Sequence, residues 1–198
     1  MSAFSSYQDL TFMPQPTPPP ILITGSVRSG STWVGKMLAA SPTIGYISEP
    51  FNPLLNYYGM EHPQFYTYLT DAKGEDDMPW VQDLLRFRMR KWISRKLPEQ
   101  LYHRITQPRP LLKDPVAALA SDWLARHFDM QVVVILRHPA AVVASLRRLG
   151  WVVAPNTWSQ QPHLLDDWLS EYAEPLTQPN LPHLERNAYS WLAVYTVL

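Results

Sequence analysis

The segment ILITGSVRSGSTW, residues 21–33, constrains the fold more than any other stretch of the chain. Its apolar start predicts a short buried strand over 21–25. Gly25 opens a loop that closes on Gly30, and a helix is predicted from Ser31. Four apolar residues share one face of that helix, namely Trp33, Val34, Met37 and Leu38. A strand, a tight glycine loop and a helix in succession indicate an α/β unit with a parallel sheet.

The loop is suited to binding a phosphate group. Nucleotide-phosphate loops read G-x-x-x-x-G-K-[ST], and this loop keeps both glycines and their spacing. Ser31 stands where such loops have lysine, and Arg28 supplies a cation from inside the loop. Backbone N–H groups from 28–33, at a helix N-terminus, form an anion site whatever the side chains. Without the lysine that reaches the outer phosphates of ATP, the loop favours a single 5′-phosphate unit over a triphosphate.

Further strands and helices alternate along the chain. This alternation predicts a parallel β-sheet flanked by helices, a three-layer sandwich like that of P-loop nucleotide-binding proteins. The predicted strands are 21–25, 44–48, 110–113 and 131–136, and the predicted helices after the first are 80–97, 114–127, 138–150 and 188–198. Residues 51–78 are aromatic, broken by proline and irregular.

Two segments are expected along the chain of 198 residues. Five prolines between Pro14 and Pro20 predict an extended N-terminal arm over residues 1–20. Residues 21–198 are expected to form one α/β domain. The amphipathic segment 188–198 runs to the last residue without a cap, so the domain is expected to be incomplete at its C-terminus.

Composition limits the partners. Lys plus Arg equals Asp plus Glu at 17 each, which gives no support for a nucleic-acid partner. Cysteine is absent and the six histidines form no tight ligand pair, so no metal site is expected. No apolar stretch is long enough to span a membrane, and the N-terminus lacks the pattern of a signal peptide. A cytoplasmic enzyme or binding protein is therefore predicted.

Charged residues follow all four predicted strands. Arg28 follows the first strand and Glu49 the second, Lys113 ends the third with Asp114 next, and Arg137 follows the fourth. In open parallel sheets, ligands bind outside the carboxyl ends of the strands. The pattern predicts a site for a highly anionic ligand with one acid/base group.

Two stretches carry a resemblance to a known family. GSVRSGSTW resembles the 5′-phosphosulfate loop of sulfotransferases that use 3′-phosphoadenosine 5′-phosphosulfate (PAPS). LRHPAAVVAS resembles their 3′-phosphate-binding segment, in which an Arg is followed eight residues later by a Ser, here Arg137 and Ser145. The resemblance is closest to the bacterial-type members, whose loops often carry Arg where animal cytosolic members carry Lys.

The resemblance implies roles for these residues. Arg28 would meet the bridging oxygen and the sulfuryl group, and Arg137 with Ser145 would grip the 3′-phosphate. Trp33 would lie under the adenine, although a place in the core is as consistent with its spacing. The residues that would hold the 5′-phosphate are Ser29, Gly30, Ser31 and Thr32.

The sequence contains two candidates for the general base. Animal cytosolic members have Lys-Thr-His after the third strand, whereas this chain has Lys113-Asp114-Pro115. The resemblance to carbohydrate-modifying and several bacterial members implies Glu49 as general base, with Lys113 as a second cation. Pro50 is expected to keep Glu49 extended and its side chain free. Asp114 is the alternative, but it is expected to cap a helix through bonds that lower its proton affinity.

The resemblance as a whole implies a sulfotransferase. The enzyme would move a sulfuryl group from PAPS to a hydroxyl or amine of a small-molecule, lipid or carbohydrate acceptor, without a metal. One alternative is a P-loop kinase for a small molecule. Another is a non-catalytic, truncated relative that only binds the nucleotide. The sequence does not indicate the acceptor or the oligomeric state.

Overall fold

A computed structural model gives the fold and describes residues 18–55, 64–74, 78–88 and 97–198. Most of the predicted proline-rich arm lies outside these ranges. The described residues contain one parallel sheet of four strands in the order β2-β3-β1-β4. The strands are β1 (Ile21–Thr24), β2 (Ile44–Ser48), β3 (Arg109–Lys113) and β4 (Gln131–Val134). The predicted α/β fold is therefore confirmed, with each strand within two residues of its predicted bounds.

β1 occupies the middle of the sheet. It pairs with β3 on one side, with Leu22 beside Leu112, and with β4 on the other, with Ile23 beside Val133. Leu22, Ile23 and Leu112 are 0% exposed, as expected for apolar strands covered on both faces. β4 is an edge strand, and its Val133 remains 37% exposed. Since all pairs are parallel, the carboxyl ends of the strands lie along one edge.

Helices pack on both faces of the sheet, and further helices in the C-terminal half of the chain pack against one another. The α-helices are α1 (Ser31–Leu38), α2 (Asp71–Gly74), α3 (Met78–Leu85), α4 (Leu97–Thr106), α5 (Ser121–Phe128), α6 (Pro139–Leu149), α7 (Asn156–Ser159), α8 (Pro162–Trp168), α9 (Ala173–Thr177) and α10 (His183–Val197). None of the helices in the described part of the chain is long and apolar enough to cross a membrane.

Alternate residues of the strands supply the two faces. Leu22, Ile47 and Leu112 point to one face and pack in a cluster with residues of α3 and α5, including Trp123. Ile23 and its neighbours on the other face pack with residues of α1. A separate cluster around Trp158 joins α7, α8, α9 and α10. This layering is that of the predicted sandwich.

α1 does not bury the face predicted from its apolar spacing. Trp33 and Met37 are 70% and 59% exposed, whereas Ser31 and Gly35 are buried. A Cβ at Gly35 would lie only 3.0 Å from the side chain of Lys113. Small residues therefore allow the helix to approach the sheet closely, and the larger apolar side chains point outward. Trp33 is consequently not a core residue.

The predicted helix over 80–97 is wrong in extent. α3 ends at Leu85, because the N–H groups of Phe87 and Arg88 turn back to the carbonyls of Leu84 and Asp83. This is a Schellman ending, which usually has glycine in the left-handed position. Here Phe87 takes it, with φ 54° and its ring 2% exposed in the core. The rest of the predicted helix, 89–96, lies outside the described residues.

The other predicted helices are present with small differences. The segment after Asp114 begins as a 3-10 turn, Val116–Ala120, before α5. α6 ends at Gly150, whose φ of 66° is the left-handed conformation expected there. The aromatic residues of 51–78 are partly structural, since Phe51 and Tyr66 are both 1% exposed.

Candidate functional site

The loop between β1 and α1 bends through three residues with positive φ. These are Gly25 at 136°, Arg28 at 68° and Gly30 at 108°. The loop delivers the chain to the start of α1, where the N–H groups of Ser31 and Thr32 have no carbonyl partner within the helix. These donors, with the positive end of the helix dipole, can hold an anion.

Two tyrosine hydroxyls fix the first half of this loop. The N–H of Ser26 donates to the hydroxyl of Tyr195 on α10, at 3.1 Å. The N–H of Val27 donates to the hydroxyl of Tyr66, at 3.3 Å. Burial raises the pKa of Tyr66, which keeps this phenol neutral. In the second half of the loop the N–H of Ser29 donates to the carbonyl of Ser26 at 3.1 Å, so the donors left for a ligand are those at the start of α1.

Ser29 shows that the loop has an unused hydroxyl. Its side chain is 7% exposed, and its Oγ is buried with no hydrogen-bond partner among the described residues. Buried polar atoms normally have partners, so an orphan beside free helix donors fits a site that binds an oxygen-rich group. The residues present are therefore compatible with a phosphate.

A hydrogen-bonded chain joins the two predicted arginines. The Nε of Arg28 donates to Ser145 Oγ at 3.1 Å, and Arg137 Nη1 donates to the carbonyl of Arg28 at 2.9 Å. Both guanidinium groups are exposed, while Ser145 is buried. The ring of Trp151 lies 6.0 Å from the guanidinium carbon of Arg28, within range of a cation–π contact. Two cations thus stand together where two anionic groups of one ligand can bind.

His138 has a structural role at the start of α6. Its Nδ1 accepts from the N–H of Ala140 at 3.2 Å and caps α6. Pro139 follows in the first helical turn, the position where its missing N–H costs nothing.

Glu49 and Lys113 form an ion pair at the ends of β2 and β3. Lys113 Nζ donates to Glu49 Oε1, and the lysine is 1% exposed. Asn52 Nδ2 donates to the other oxygen, Oε2, at 2.7 Å. The expectation of a free side chain on an extended backbone at Glu49 is wrong, because Glu49 has φ 49°. A turn closed by Asn52 N–H on the Glu49 carbonyl, at 3.2 Å, directs the carboxylate toward Lys113.

Asp114 is wholly buried beneath this pair. Its two oxygens accept from the N–H groups of Val116, at 2.8 Å, and Phe51, at 2.6 Å. The expected use of its side chain at a helix start is confirmed, but the expected fall in its proton affinity is wrong. Burial raises the pKa of Asp114 to about 7, because the loss of hydration outweighs the two hydrogen bonds and Glu49 adds negative charge.

The two groups of charged residues share the same edge of the sheet. Thr24 Oγ1, at the end of β1, donates to the carbonyl of Asp114 at 2.8 Å, and the N–H of Asp114 donates to the carbonyl of Ile23 at 2.9 Å. Gly35 brings α1 against the side chain of Lys113. The site is therefore a row, with Arg137 and Arg28 at one end and Lys113 and Glu49 at the other.

Several residues of this site carried no signal in the sequence. Asn52 contacts Glu49 from only three residues along the chain. Tyr66 and Tyr195 contact Val27 and Ser26 of the loop, and Trp151 contacts Arg28, all from segments far away along the chain. Their contacts arise from the packing of helices and irregular segments, which no local pattern encodes. The sequence showed only that residues 51–78 are aromatic and irregular, which does not indicate that Tyr66 contacts the loop.

Comparison with known proteins agrees with this geometry. The family model described as Sulfotransferase family matches residues 19–183, which include both arginines, Ser145, Glu49 and Lys113. The chain belongs to the sulfotransferase family. No curated protein and no solved structure shows a match. Family membership supports sulfuryl transfer in general, so the donor, the acceptor and the roles of single residues rest on the site itself.

Proposed function

We propose that this sulfotransferase takes its sulfuryl group from PAPS and transfers it to a hydroxyl of a small-molecule, lipid or carbohydrate acceptor. The observation that carries the proposal is the chain Arg137–Arg28–Ser145, which holds two exposed cations side by side at the end of the phosphate loop. A 3′-phosphate and a 5′-phosphosulfate on one nucleotide present two anions that such a pair would bind.

The 5′ side of the nucleotide would lie against the loop. The N–H groups of Ser31 and Thr32 and the unpartnered hydroxyl of Ser29 are the donors for the 5′-phosphate. Gly30 leaves the approach open, since nothing lies within 4 Å of the place where a side chain would start. The exposed indole of Trp33 is available to the adenine.

The 3′-phosphate would lie against Arg137, whose planar fork can pair with two oxygens at once. Ser145, which was expected to bind the 3′-phosphate, hydrogen-bonds to Arg28 instead. Its Oγ accepts from Arg28 Nε, which leaves the outer nitrogens of Arg28 for the sulfuryl group. Ser145 would thus orient Arg28, and a 3′-phosphate contact from the same hydroxyl remains part of the proposal.

PAPS supplies an activated sulfuryl group, and the residues of the chain supply charge and a base. Glu49 would take the proton of the acceptor hydroxyl as the oxygen–sulfur bond forms and the bond from sulfur to the 5′-phosphate breaks. The electron pair of that bond leaves on the 3′,5′-bisphosphate, whose charge Arg28 and the α1 N-terminus would stabilise. Lys113 would hold Glu49 in place and add positive charge.

Arg28 and Glu49 also share an unusual backbone conformation. Arg28 and Glu49 both adopt positive φ, at 68° and 49°, although neither is glycine. Such conformations cost of order 1–3 kcal/mol and cluster at functional sites, where the surroundings hold them. Both proposed catalytic residues therefore occupy positions that the fold maintains against local strain.

Arg137→Ala is the experiment that tests the proposal. The variant should lose about 10- to 100-fold in affinity for adenosine 3′,5′-bisphosphate, because charged hydrogen bonds to the 3′-phosphate disappear. Its affinity for 5′-AMP, which lacks that phosphate, should stay nearly unchanged. Isothermal titration calorimetry on wild type and variant measures both constants.

Arg148→Ala is the matched control, since Arg148 is an exposed arginine in the last turn of the same helix, α6. It should leave both affinities at the wild-type level. If Arg137→Ala lost affinity for both nucleotides equally, Arg137 would only support the loop through its bond to the Arg28 carbonyl. That result would remove the 3′-phosphate from the proposal.

A further inference from the structure

Two aromatic side chains near the end of α10 hydrogen-bond to both halves of the nucleotide site. Trp191 Nε1 donates to the carbonyl of Arg137 at 3.0 Å, and the Tyr195 hydroxyl donates to the carbonyl of Ile135 at 2.6 Å. The two rings touch, with centroids 4.7 Å apart. We propose that Trp191 and Tyr195, called here the aromatic pair, are positioning residues that set the spacing between the two phosphate-binding segments. The inference rests on the proposed function for its ligand.

Tyr195 connects the segment after β4 to the loop after β1. Its hydroxyl donates to Ile135 and accepts the N–H of Ser26, which uses both capacities of the phenol. Gly25 makes the connection possible. A Cβ there would overlap the Ile135 carbonyl and would lie 3.2 Å from the Tyr195 hydroxyl. The first glycine of the loop thus leaves room for this hydroxyl as well as making the turn.

Trp191 fixes the backbone of the residue that would hold the 3′-phosphate. The Arg137 carbonyl accepts from the indole, while the Arg137 side chain donates to the Arg28 carbonyl. The loop and the arginine are therefore tied to one rigid helix at points one helical turn apart. Holding two binding groups at a fixed separation lowers the entropy lost when one ligand binds both.

Packing alone does not account for the aromatic pair. α10 is anchored in the core by other residues, since Ala193 and Val194 are both 0% exposed. Trp191 and Tyr195 are only half-buried, and their polar atoms reach toward the site. Both also lie beyond residues 19–183, so the family match assigns them nothing.

Tyr195→Phe and Trp191→Phe test the aromatic pair in the full chain, because each removes one donor and keeps a ring. Calorimetry with adenosine 3′,5′-bisphosphate and with 5′-AMP gives the ratio of the two affinities. Each variant should reduce that ratio roughly five- to tenfold. A general loss of structure would weaken the binding of both nucleotides alike and leave the ratio of their affinities unchanged. Thr196→Ala, which removes an exposed hydroxyl bonded within α10, is the control.

Hydrogen exchange provides a readout without any nucleotide. In Tyr195→Phe the Ser26 amide should exchange at least about tenfold faster, while the Val27 amide, bonded to Tyr66, serves as an internal reference. The inference would be overturned if Tyr195→Phe and Trp191→Phe both kept the wild-type ratio of the two nucleotide affinities. It would also be overturned if the Ser26 amide exchanged no faster in Tyr195→Phe than in Thr196→Ala. If wild type itself does not prefer the bisphosphate, the proposed function fails, and the exchange result alone decides the aromatic pair.

Discussion

Replacing Glu49 with Gln is expected to lower the rate of sulfuryl transfer by roughly 10²–10⁴-fold, the usual contribution of a general base. Gln has nearly the same shape, and its oxygen can still accept from Lys113 Nζ, but it cannot take a proton from the acceptor. Binding of the bisphosphate should change little, since Glu49 lies at the other end of the site from Arg137. Initial rates with any acceptor that wild type uses, together with calorimetry, measure the two effects separately.

The ion pair complicates this variant in a predictable way. Removing the charge of Glu49 leaves Lys113, at 1% exposure, with a neutral partner, so the variant should also be less stable. Rates should therefore be compared well below the melting temperature, per mole of folded protein. Wild-type turnover in folded Glu49→Gln would show that Glu49 is not the base.

Asp114→Asn separates the two candidate carboxylates. Burial raises the pKa of Asp114, but the residue is 0% exposed and both oxygens accept backbone N–H groups, so no acceptor hydroxyl can reach it. The folded variant should keep its turnover. If folded Asp114→Asn lost turnover while Glu49→Gln stayed active, the general base would lie in the Lys113-Asp114-Pro115 stretch and not at Glu49.

The stability of wild type relative to Asp114→Asn should depend on pH. Because the pKa of Asp114 is about 7 in the folded chain and near 4 when unfolded, the folded state binds the extra proton between these values. The stability that wild type draws from this group therefore falls as pH rises from about 4 to about 7. Asn does not titrate, so the stability of Asp114→Asn should not fall in this way. The amount by which wild type is more stable than the variant should therefore shrink over that pH range.

Gly25→Ala is expected to have the largest effect on folding. Gly25 has φ 136°, a conformation that residues with a side chain rarely adopt, and a Cβ would overlap the Ile135 carbonyl. Neither the loop nor β4 can move without breaking the sheet pairing beside it. We expect a loss of more than about 4 kcal/mol, a large part of the roughly 5–15 kcal/mol by which most domains are stable. Circular dichroism and urea unfolding measure the outcome.

Gly30→Ala is the matched control in the same loop. Gly30 also has positive φ, at 108°, but nothing lies within 4 Å of the added methyl group. Only the backbone strain remains, which should cost about 1–2 kcal/mol. Equal stability of the two variants would mean that the close contact between Gly25 and Ile135 contributes nothing.

Much of the fold was visible in local patterns. The strands, the loop and α6 follow from apolar runs, glycine spacing and proline positions, which act over a few residues. Charges after parallel strands necessarily share an edge, so Arg28, Glu49, Lys113 and Arg137 could be grouped before the structure was known.

The errors arose where packing overrides a local pattern. Phe87 ends α3 in a conformation usually reserved for glycine, because its ring is buried against Gly45. α1 buries Gly35 in place of its large apolar residues, because Lys113 passes beneath it. Asp114 has a raised pKa because it is fully buried, and the charge of Glu49, from a distant segment, raises it further.

Nucleotide choice by wild type tests the central claim most directly and needs no acceptor. In calorimetry, the chain should bind adenosine 3′,5′-bisphosphate at least about tenfold more tightly than ATP, and magnesium should not improve binding of either. The preference follows from Arg137 beside a loop in which Ser31 replaces the lysine that ATP requires. Tighter binding of ATP, strengthened by magnesium, would contradict PAPS as the donor and favour a kinase.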